Sequence, residues 1–145
     1  MTEWLKDDIV WQPPNDFKAE DVYGFVYLIT NLKTNRKYIG KKWFWATKTL
    51  PITKSRKRKK KTIVESNWRK YYGSNKYLQE EVIILGPDAF KREILHLCKT
   101  KGECSYMELK EQVEREVLFS DNYYNGIIAC KISSSHIKNM CTLNE

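Results

Sequence analysis

Two short apolar, β-prone segments separated by a polar turn dominate the first third of the chain. The segments Tyr23 to Thr30 and Lys37 to Lys42 flank residues 31–36, which are rich in Asn and Thr. Runs of Val, Ile, Tyr and Phe bounded by such turn residues are typical of a β-hairpin. The pattern therefore predicts two antiparallel strands joined by a tight loop.

The register of this hairpin decides which side chains face each other. A four-residue loop closed by Thr30 and Asn35 would place Tyr27 directly opposite Tyr38, so that the two phenols share one face. The same spacing is equally typical of a structural pair of cross-strand aromatic residues. Gly40 has the same parity as Tyr38, and it would leave a gap on that face where a phosphate backbone could come close.

The apolar spacing in the second half of the chain predicts one more strand between two helices. Leu78, Val82 and Leu85 recur at helical spacing ahead of the helix-ending pair Gly86-Pro87. A strand-like segment follows, and a longer helical pattern comes after it. The expected elements are a short helix or turn over residues 66–73, a helix over 75–85, a strand over 89–98, a turn closed by Gly102, a helix over 105–119 and a turn over 122–125.

The last predicted helix carries a glutamate outside its apolar stripe. At about 100° per residue, Glu108 falls on the opposite side of the helix from that stripe, so we do not expect it in the core. Ser105 and Glu108 also form a Ser-x-x-Glu capping box at the predicted start of the helix, which alone would account for the glutamate. The residues predicted to be buried are Tyr106, Leu109, Val113 and Val117.

All of the excess positive charge lies in one segment. The net charge is +8, and residues 37–61 contain eleven Lys or Arg and no acidic residue. Because like charges in such a run repel one another, it cannot pack in a core. Residues 46–65 show no clear period, so we expect an irregular, solvated insertion over residues 42–65 that a nucleic acid would order. The candidate nucleic-acid contacts are Gly40, Lys41, Lys42, Lys54, Arg56, Lys57, Arg58, Lys59, Lys60, Lys61 and Lys70.

The composition fits one folded domain with polar extensions. With 145 residues, of which 41% are hydrophobic, the chain can bury a single core without disulfides or metal. We expect an acidic N-terminal arm over residues 1–21, a folded domain over 22–130 that includes the insertion at 42–65, and a tail over 131–145. The arm carries two Trp and one Phe that would pack it on the domain surface. An alternative is that the arm shields the basic insertion until nucleic acid displaces it.

Several features argue against other classes of protein. The chain has no run of about 18 apolar residues, and its first eight residues lack the basic start and apolar core of a signal peptide, so we expect residence in the cytosol. Its four cysteines are too widely spaced for a paired Cys-x-x-Cys zinc site and are expected to be structural thiols. His96 and His136 are expected to have no catalytic role.

The hairpin and the later elements together resemble the GIY-YIG endonuclease family. Phe25-Val26-Tyr27 and Tyr38-Ile39-Gly40 match the two halves of its signature, although Phe25 stands where the family has Gly. Phe90 to Leu95 looks like the family's third strand, and Asn125 after two tyrosines is similar to its late asparagine. The resemblance covers roughly residues 22–130 and looks most like free-standing phage members, which would place the protein in the cytoplasm of a bacterial host.

The resemblance implies an α+β fold, with a three-stranded antiparallel sheet flanked by helices in the order β-β-α-α-β-α. It also implies a metal-dependent endonuclease acting on double-stranded DNA, in which Glu108 holds one Mg²⁺ or Mn²⁺. Tyr27 or Tyr38 would orient or deprotonate the attacking water, and Asn125 would brace the site. Because a free phenol has a pKa of about 10, a tyrosine base would need nearby cations. Arg69 is the candidate for the family's catalytic arginine.

Other assignments are compatible with the same residues. Arg56 and Arg58 are alternatives for the arginine, and Lys41 or Lys42 could replace it only as point charges. The fold could also serve a non-catalytic module that binds DNA or RNA, or an interaction protein held by its acidic arm and basic loop. Homing, host-DNA degradation, restriction and repair all fit an enzyme of this kind, as do nicking and double-strand cleavage.

Overall fold

The computed structural model describes residues 2–55, 58 and 60–136 of the chain. The candidate contacts Arg56, Lys57 and Lys59, and most of the predicted tail, lie outside these residues. The described residues form seven strands and two α-helices. In chain order they are β1 (Trp4–Lys6), β2 (Ile9–Val10), β3 (Gly24–Asn31), β4 (Lys37–Trp43), β5 (Trp45–Leu50), β6 (Lys60–Glu65), α1 (Lys76–Leu85), β7 (Phe90–Cys98) and α2 (Lys101–Glu114).

The main sheet contains five strands in the order β2-β1-β7-β3-β4. β1 runs parallel to β7, and the other neighbouring strands are antiparallel. The predicted α+β class is confirmed, but the prediction of three antiparallel strands is wrong because the N-terminal segment adds β1 and β2. Trp4 anchors this segment, since its side chain is buried and its indole N–H donates to the Trp68 carbonyl at 3.0 Å.

The turn between β3 and β4 is closed one residue later than predicted. The Asn31 amide donates to the Arg36 carbonyl at 2.8 Å, which leaves a four-residue loop between them. The Asn31 side chain accepts hydrogen bonds from the amides of Lys33 and Thr34 at 2.9 and 3.3 Å. Asn35 takes up a left-handed conformation with a φ of 62°. This local hydrogen bonding, typical of Asn in turns, fixes the closing pair.

The shift in the turn changes the cross-strand partners of both tyrosines. Tyr27 lies opposite Gly40, and Tyr38 lies opposite Ile29, so the predicted direct pairing of the two tyrosines is wrong. Each cross-strand partner differs from the predicted one by two positions. Because side chains alternate between the faces of a strand, every side chain still lies on its predicted face. The two phenol rings therefore still share a face, with their centroids 6.1 Å apart.

The main sheet buries a different core on each of its faces. All eight residues of β3 are buried, as expected of a strand covered on both sides. One core is mainly aromatic, and the other lies beneath α2. The aromatic core contains Trp4, Phe25, Tyr27, Ile29, Phe44, Trp68, Leu78, Phe90, Ile94 and Tyr124. The core beneath α2 contains Val26, Leu28, Ile39, Cys98, Cys104 and Val117.

Helix α1 forms as predicted. Asn75 caps its start, because the Asn75 side chain accepts a hydrogen bond from the Leu78 amide at 3.1 Å. Gly86 ends it with a φ of 87° that suits glycine. Just before α1, the segment predicted as a short helix or turn contains one 3-10 turn, Trp68–Lys70. In the part of the chain that the structure describes, no helix combines the length and apolar character needed to cross a bilayer.

Helix α2 begins earlier than predicted, at Lys101 rather than at Ser105. Thr100 is its N-cap, because the Thr100 hydroxyl accepts a hydrogen bond from the Glu103 amide at 3.1 Å. Gly102 therefore lies inside the helix instead of closing the preceding turn. The helix ends at Glu114, before the predicted end at residue 119. The predicted Ser-x-x-Glu capping box is thus wrong, since a Thr-x-x-Glu pattern one turn earlier takes that place.

Helix α2 packs a different face on the sheet from the one predicted, although Val117, just after the helix, is buried as predicted. Cys104 and Gln112 are its buried residues, whereas Val113 of the predicted stripe is 56% exposed. Glu108 lies one turn from each buried residue and thus on the face that meets β4. The Gln112 amide donates to the Ile39 carbonyl at 3.3 Å. The buried face of the helix carries polar side chains that meet backbone groups at the edge of β4. The spacing of its apolar residues therefore does not identify that face.

The basic insertion is not irregular in the structure. β5 and β6 pair as a two-stranded antiparallel ribbon, which Phe44 alone connects to β4. Most of its side chains are exposed on both faces. Alternation of apolar and polar residues arises when one face of a strand is buried. A ribbon with solvent on both sides has no such requirement, which explains why the sequence shows no period here.

Candidate active site

An open cleft of about 470 Å³ lies at the outer edge of the main sheet, beside β4. Residues from four parts of the chain meet there: β4, the start of α1, the middle of α2 and the segment after residue 123. Three of the five predicted catalytic residues line the cleft. The lining residues are Tyr38, Ser74, Asn75, Lys76, Tyr77, Glu108, Gln112, Tyr124, Asn125, Gly126, Ile127 and Ala129.

Tyr27 lies behind this cleft rather than in it. Its side chain is only 1% exposed, and its ring packs over Gly40 of the neighbouring strand. A Cβ atom at position 40 would overlap the Tyr27 hydroxyl and come within 2.9 Å of a Tyr38 ring carbon. The gap that Gly40 leaves is therefore filled by Tyr27 instead of being open to a phosphate backbone. Tyr27 supports Tyr38 from below.

Both phenols hold their protons more tightly than free tyrosine. Burial, followed by the neighbouring Tyr71 and Tyr38, raises the pKa of Tyr27 well above 10. Burial also raises the pKa of Tyr38, although the hydrogen bond between its hydroxyl and Ser74 Oγ, 3.1 Å long, acts in the opposite direction. Activation of a tyrosine base by nearby cations stays a prediction, and neither shift is caused by a lysine or an arginine. At neutral pH both residues are neutral phenols that can donate and accept hydrogen bonds.

Asn125 braces the exposed edge of β4. Its side-chain oxygen accepts from the Ile39 amide at 3.0 Å, and its side-chain nitrogen donates to the Ile39 carbonyl at 2.8 Å. The adjacent Tyr124 amide donates to the Lys37 carbonyl at 2.8 Å. These bonds occupy backbone groups that an edge strand would otherwise leave open. They hold Tyr38, which lies between Lys37 and Ile39, in a fixed position at the cleft.

Glu108 projects from α2 toward the same strand edge. Its side chain is 16% exposed, and its Oε1 lies 3.8 Å from Lys41 Nζ. Burial raises the pKa of the Glu108 carboxyl, and Lys41 partly offsets this by stabilising the charged form. The Lys41 ammonium also donates to Ser105 Oγ at 2.8 Å. The result is a partly dehydrated carboxylate at the cleft, with one cation beside it.

A second cationic feature borders the cleft on the side of α1. Lys76, the first residue of α1, lines the cleft together with the capping residue Asn75. The side-chain nitrogen of Asn75 donates to the Tyr124 carbonyl at 3.0 Å, which fixes the start of the helix against the segment that carries Asn125. The free backbone N–H groups at a helix start and a lysine both favour an anion.

Arg69 does not line the cleft. Its Nε atom lies 2.9 Å from Glu65 Oε1, and its guanidinium stacks over the Trp68 ring at 4.5 Å. It lines a separate cavity of about 230 Å³ that also includes Trp4 and Trp11. The sequence order of the elements suggested Arg69, but the ribbon returns the chain to the aromatic core, so the turn that follows it is held away from the cleft.

The remaining predicted cations that the structure describes lie in four places. Lys41 is beside Glu108, and Lys42 lies 4.4 Å over the Tyr71 ring, where burial lowers the pKa of its ammonium. Lys70 is exposed next to Arg69. The other described members are exposed on the ribbon and its tip: Lys54, Arg58, Lys60 and Lys61.

Sequence reasoning missed four residues that help to form the cleft: Ser74, Lys76, Gln112 and Tyr124. Two signals could have found some of them. Lys76 is the first residue of a helix whose start was predicted, and helix starts attract anions. Gln112 follows Glu108 by one helical turn, so both must lie on one face. Ser74 and Tyr124 come from loops, and only the fold brings them here.

Comparisons with known proteins show the family of the chain. A family model described as "Putative endonuclease segE, GIY-YIG domain" matches residues 4–128. Among curated proteins, the chain is 35% identical over 104 residues to "Putative endonuclease segE" of Enterobacteria phage T4. This alignment covers 72% of the chain and 40% of the phage protein, so the chain spans less than half of that relative. No solved structure matches the chain.

Proposed function

Because this chain belongs to the GIY-YIG endonuclease family, we propose that it hydrolyses phosphodiester bonds of double-stranded DNA in the cleft beside β4. The observation that carries this proposal is the meeting of Tyr38, Glu108 and Asn125 in one cleft, although they are far apart in the sequence. The alternative of a non-catalytic binding module is not favoured, because the similar proteins are described as endonucleases.

The donor set of the cleft fits one hard divalent cation. Among the described residues, no group of three or more His, Cys, Asp or Glu lies close enough to hold an ion. A single carboxylate suits Mg²⁺, which keeps several waters and takes further oxygens from substrate phosphates. Glu108 would hold the ion, with Mn²⁺ as a substitute. When bound, such an ion stabilises negative charge on the phosphate and on the leaving oxygen.

Two groups of the chain's own residues would act on the scissile phosphate. The Tyr38 hydroxyl faces the cleft and would orient the attacking water through a hydrogen bond, with the buried Tyr27 keeping its ring in place. Because burial raises the pKa of the Tyr38 phenol, we assign Tyr38 the positioning of the water and not proton abstraction, and the water would lose its proton to solvent. Lys41 and Lys76 would stabilise the negative charge that develops on the phosphate.

The direct test compares nicking of a supercoiled plasmid by the wild-type protein and by Glu108→Gln in the presence of Mg²⁺. We expect a loss of at least about 100-fold, since the variant removes the one carboxylate among the described lining residues, which is the proposed metal ligand. EDTA should abolish nicking by the wild type. DNA binding in a gel-shift assay should survive the substitution. Equal nicking by the two proteins would contradict the proposal.

The pH profile of nicking provides a second readout of the same residue. Glu108 must be charged to hold a cation, and burial raises its pKa above 4.5. Nicking should therefore fall as the pH decreases through this raised pKa, at a higher pH than a free glutamate would give. Because the pKa values of Tyr27 and Tyr38 are raised, deprotonation of a phenol should not increase the rate of nicking below pH 10. A rate that rises with an apparent pKa below 10 would indicate a tyrosinate base instead.

A further inference from the structure

Hydrogen bonds and buried contacts fix the base of the ribbon β5–β6 to the body of the domain. There the Trp45 indole donates to the Val22 carbonyl at 2.9 Å, and the Trp68 indole donates to Glu65 Oε1 at 2.8 Å. The connecting residue Phe44 is fully buried, and its amide donates to the Tyr23 carbonyl at 2.9 Å. Beyond the pair Trp45 and Glu65, most side chains of both strands are exposed. The ribbon is therefore an arm that projects from a rigid attachment.

The dimensions of this arm match the major groove of B-form DNA. Each strand has six residues, which at a rise of about 3.4 Å gives a length of roughly 17 to 20 Å. The groove is about 12 Å wide and about 8.5 Å deep, and it admits a two-stranded ribbon. The major groove of A-form RNA is too narrow for side chains to read.

The charge of the arm also suits nucleic acid. Residues 46–64 contain eight Lys or Arg and no acidic residue. A two-stranded hairpin without a core beneath it is marginally stable in water. Repulsion between its positive charges destabilises the ribbon further, so its high content of Lys and Arg does not contribute to the stability of the fold. Groove walls lined with phosphates would neutralise the lysines, three of which, Lys48, Lys60 and Lys61, lie on the strands themselves.

One face of the arm carries side chains suited to reading bases. The register places Thr47 opposite Ile63 and Thr49 opposite Lys61, and all four side chains are exposed. A threonine hydroxyl can donate to or accept from base edges, and apolar groups contact the thymine methyl group. On the other face, Thr62 is half-buried.

From these observations we propose that the ribbon β5–β6 enters the DNA major groove and selects the sequence next to the cut through Thr47, Thr49 and Ile63. The inference rests on the proposed function, because it gives the same cleft its sequence preference. It assigns base reading to one face of the strands and phosphate contact to their lysines. The tip residues 56, 57 and 59 carry no part of it.

The first test compares cut-site profiles by sequencing the cleavage ends of a plasmid. The double variant Thr47→Val and Thr49→Val removes both hydroxyl groups but keeps shape and β-propensity. We expect base preference at one to three positions beside the cut to change by about five- to tenfold. The matched control Thr62→Val makes the same change on the other face and should leave the profile unchanged. Identical profiles for wild type and double variant would overturn the inference, as would the same change in the control.

The second test does not require cleavage. Glu108→Gln protein is bound to a duplex carrying the most frequently cut site or, if nothing is cut, the tightest-binding segment of a random pool. Methylation of guanine N7 in the major groove should weaken binding about tenfold at positions under the ribbon. Methylation of adenine N3 in the minor groove should have no effect. Interference only in the minor groove, or in neither groove, would overturn the inference.

The two tests separate the inference from the proposed function. Major-groove interference without any nicking would refute the nuclease assignment and leave the ribbon assignment standing. Nicking with minor-groove interference would support the nuclease assignment and refute the ribbon assignment.

Duplex RNA of the same sequence should compete at least about tenfold more weakly than DNA, because its major groove excludes the ribbon.

Discussion

Two consecutive hairpins, β3–β4 and β5–β6, differ sharply in their surroundings. Both are antiparallel, and the single residue Phe44 joins them. Every side chain of β3 is buried, whereas most of those in β5 and β6 are exposed. The first hairpin carries Tyr38 in the candidate cleft, with Tyr27 and Gly40 packed behind it.

The difference separates two physical requirements of a nuclease. Chemistry needs groups held within a fraction of an ångström, which packing on both faces of a strand provides. Recognition of a large polyanion needs exposed cations and reach, which burial would remove. Under the proposed function the two hairpins divide these tasks, so substitutions in the first should affect stability and turnover. Substitutions in the second should affect binding and its dependence on salt.

The strongest test of the first hairpin is Gly40→Ala. The added methyl group would overlap the Tyr27 ring, so we expect a destabilisation of about 1–3 kcal/mol. Nicking should fall as well, because Tyr27 would be forced against Tyr38. Thermal unfolding and plasmid nicking measure the two effects. Gly126→Ala is the matched control for stability, since its methyl group would meet nothing within 4 Å. Equal unfolding temperatures for both variants would contradict this packing.

Tyr38→Phe isolates chemistry from packing within the same hairpin. Removal of the hydroxyl that orients water should lower turnover at saturating DNA by about 100-fold. Unfolding temperature should change little, because the hydrogen bond it makes to Ser74 is exposed. Ser74→Ala breaks the same hydrogen bond but keeps the phenol, and we expect a much smaller loss. If both variants lost activity equally, the hydrogen bond and not the water contact would be responsible.

The double variant Lys60→Gln and Lys61→Gln tests the second hairpin. We expect DNA affinity to fall about tenfold and the slope of log affinity against log salt to decrease by about 2. Turnover at saturating DNA should stay close to the wild-type value. Lys33→Gln, in the exposed turn of the first hairpin, is the control and should leave the slope unchanged. Reduced turnover with an unchanged slope would show that the two hairpins do not divide their tasks in this way.

The smallest effect is expected for Arg69→Gln, at the point where the second hairpin rejoins the body. Its exposed ion pair with Glu65 contributes about 0–1 kcal/mol. Because Arg69 lies outside the cleft, nicking should change by less than about threefold. A fall of about 100-fold in turnover, with unfolding temperature preserved, would instead identify Arg69 as the catalytic arginine.

Local chemistry made part of this molecule predictable. The first hairpin, α1 and β7 lie where the spacing of apolar residues predicted them. The ends of α1 are predictable because Asn75 and Gly86 cap the helix through residues close to them in the sequence. The GIY-YIG resemblance was also confirmed. The register of the hairpin was missed because the hydrogen bonds of Asn31 within the turn, which the strand pattern does not reveal, set its closing pair.

Other features could not be read from the sequence for physical reasons. Helix α2 buries Gln112 and most of Glu108 because the edge of β4 needs polar partners, so its apolar stripe pointed the wrong way. The ribbon lacks a buried face and therefore lacks a period. Trp4 belongs to the core only because β1 pairs with β7, a contact between distant parts of the chain that local patterns do not encode.

The first paired residues of the ribbon, Trp45 and Glu65, lie opposite each other, so the chain leaves and re-enters the body at one place. An insertion attached in this manner behaves as an exchangeable cassette, since the entropic cost of a longer loop grows only slowly with its length. Residues 46–64 could thus diverge, or be swapped in the laboratory, without disturbing Tyr38, Glu108 or Asn125. Under the proposed function, new target sequences would then become accessible through changes in a single contiguous segment.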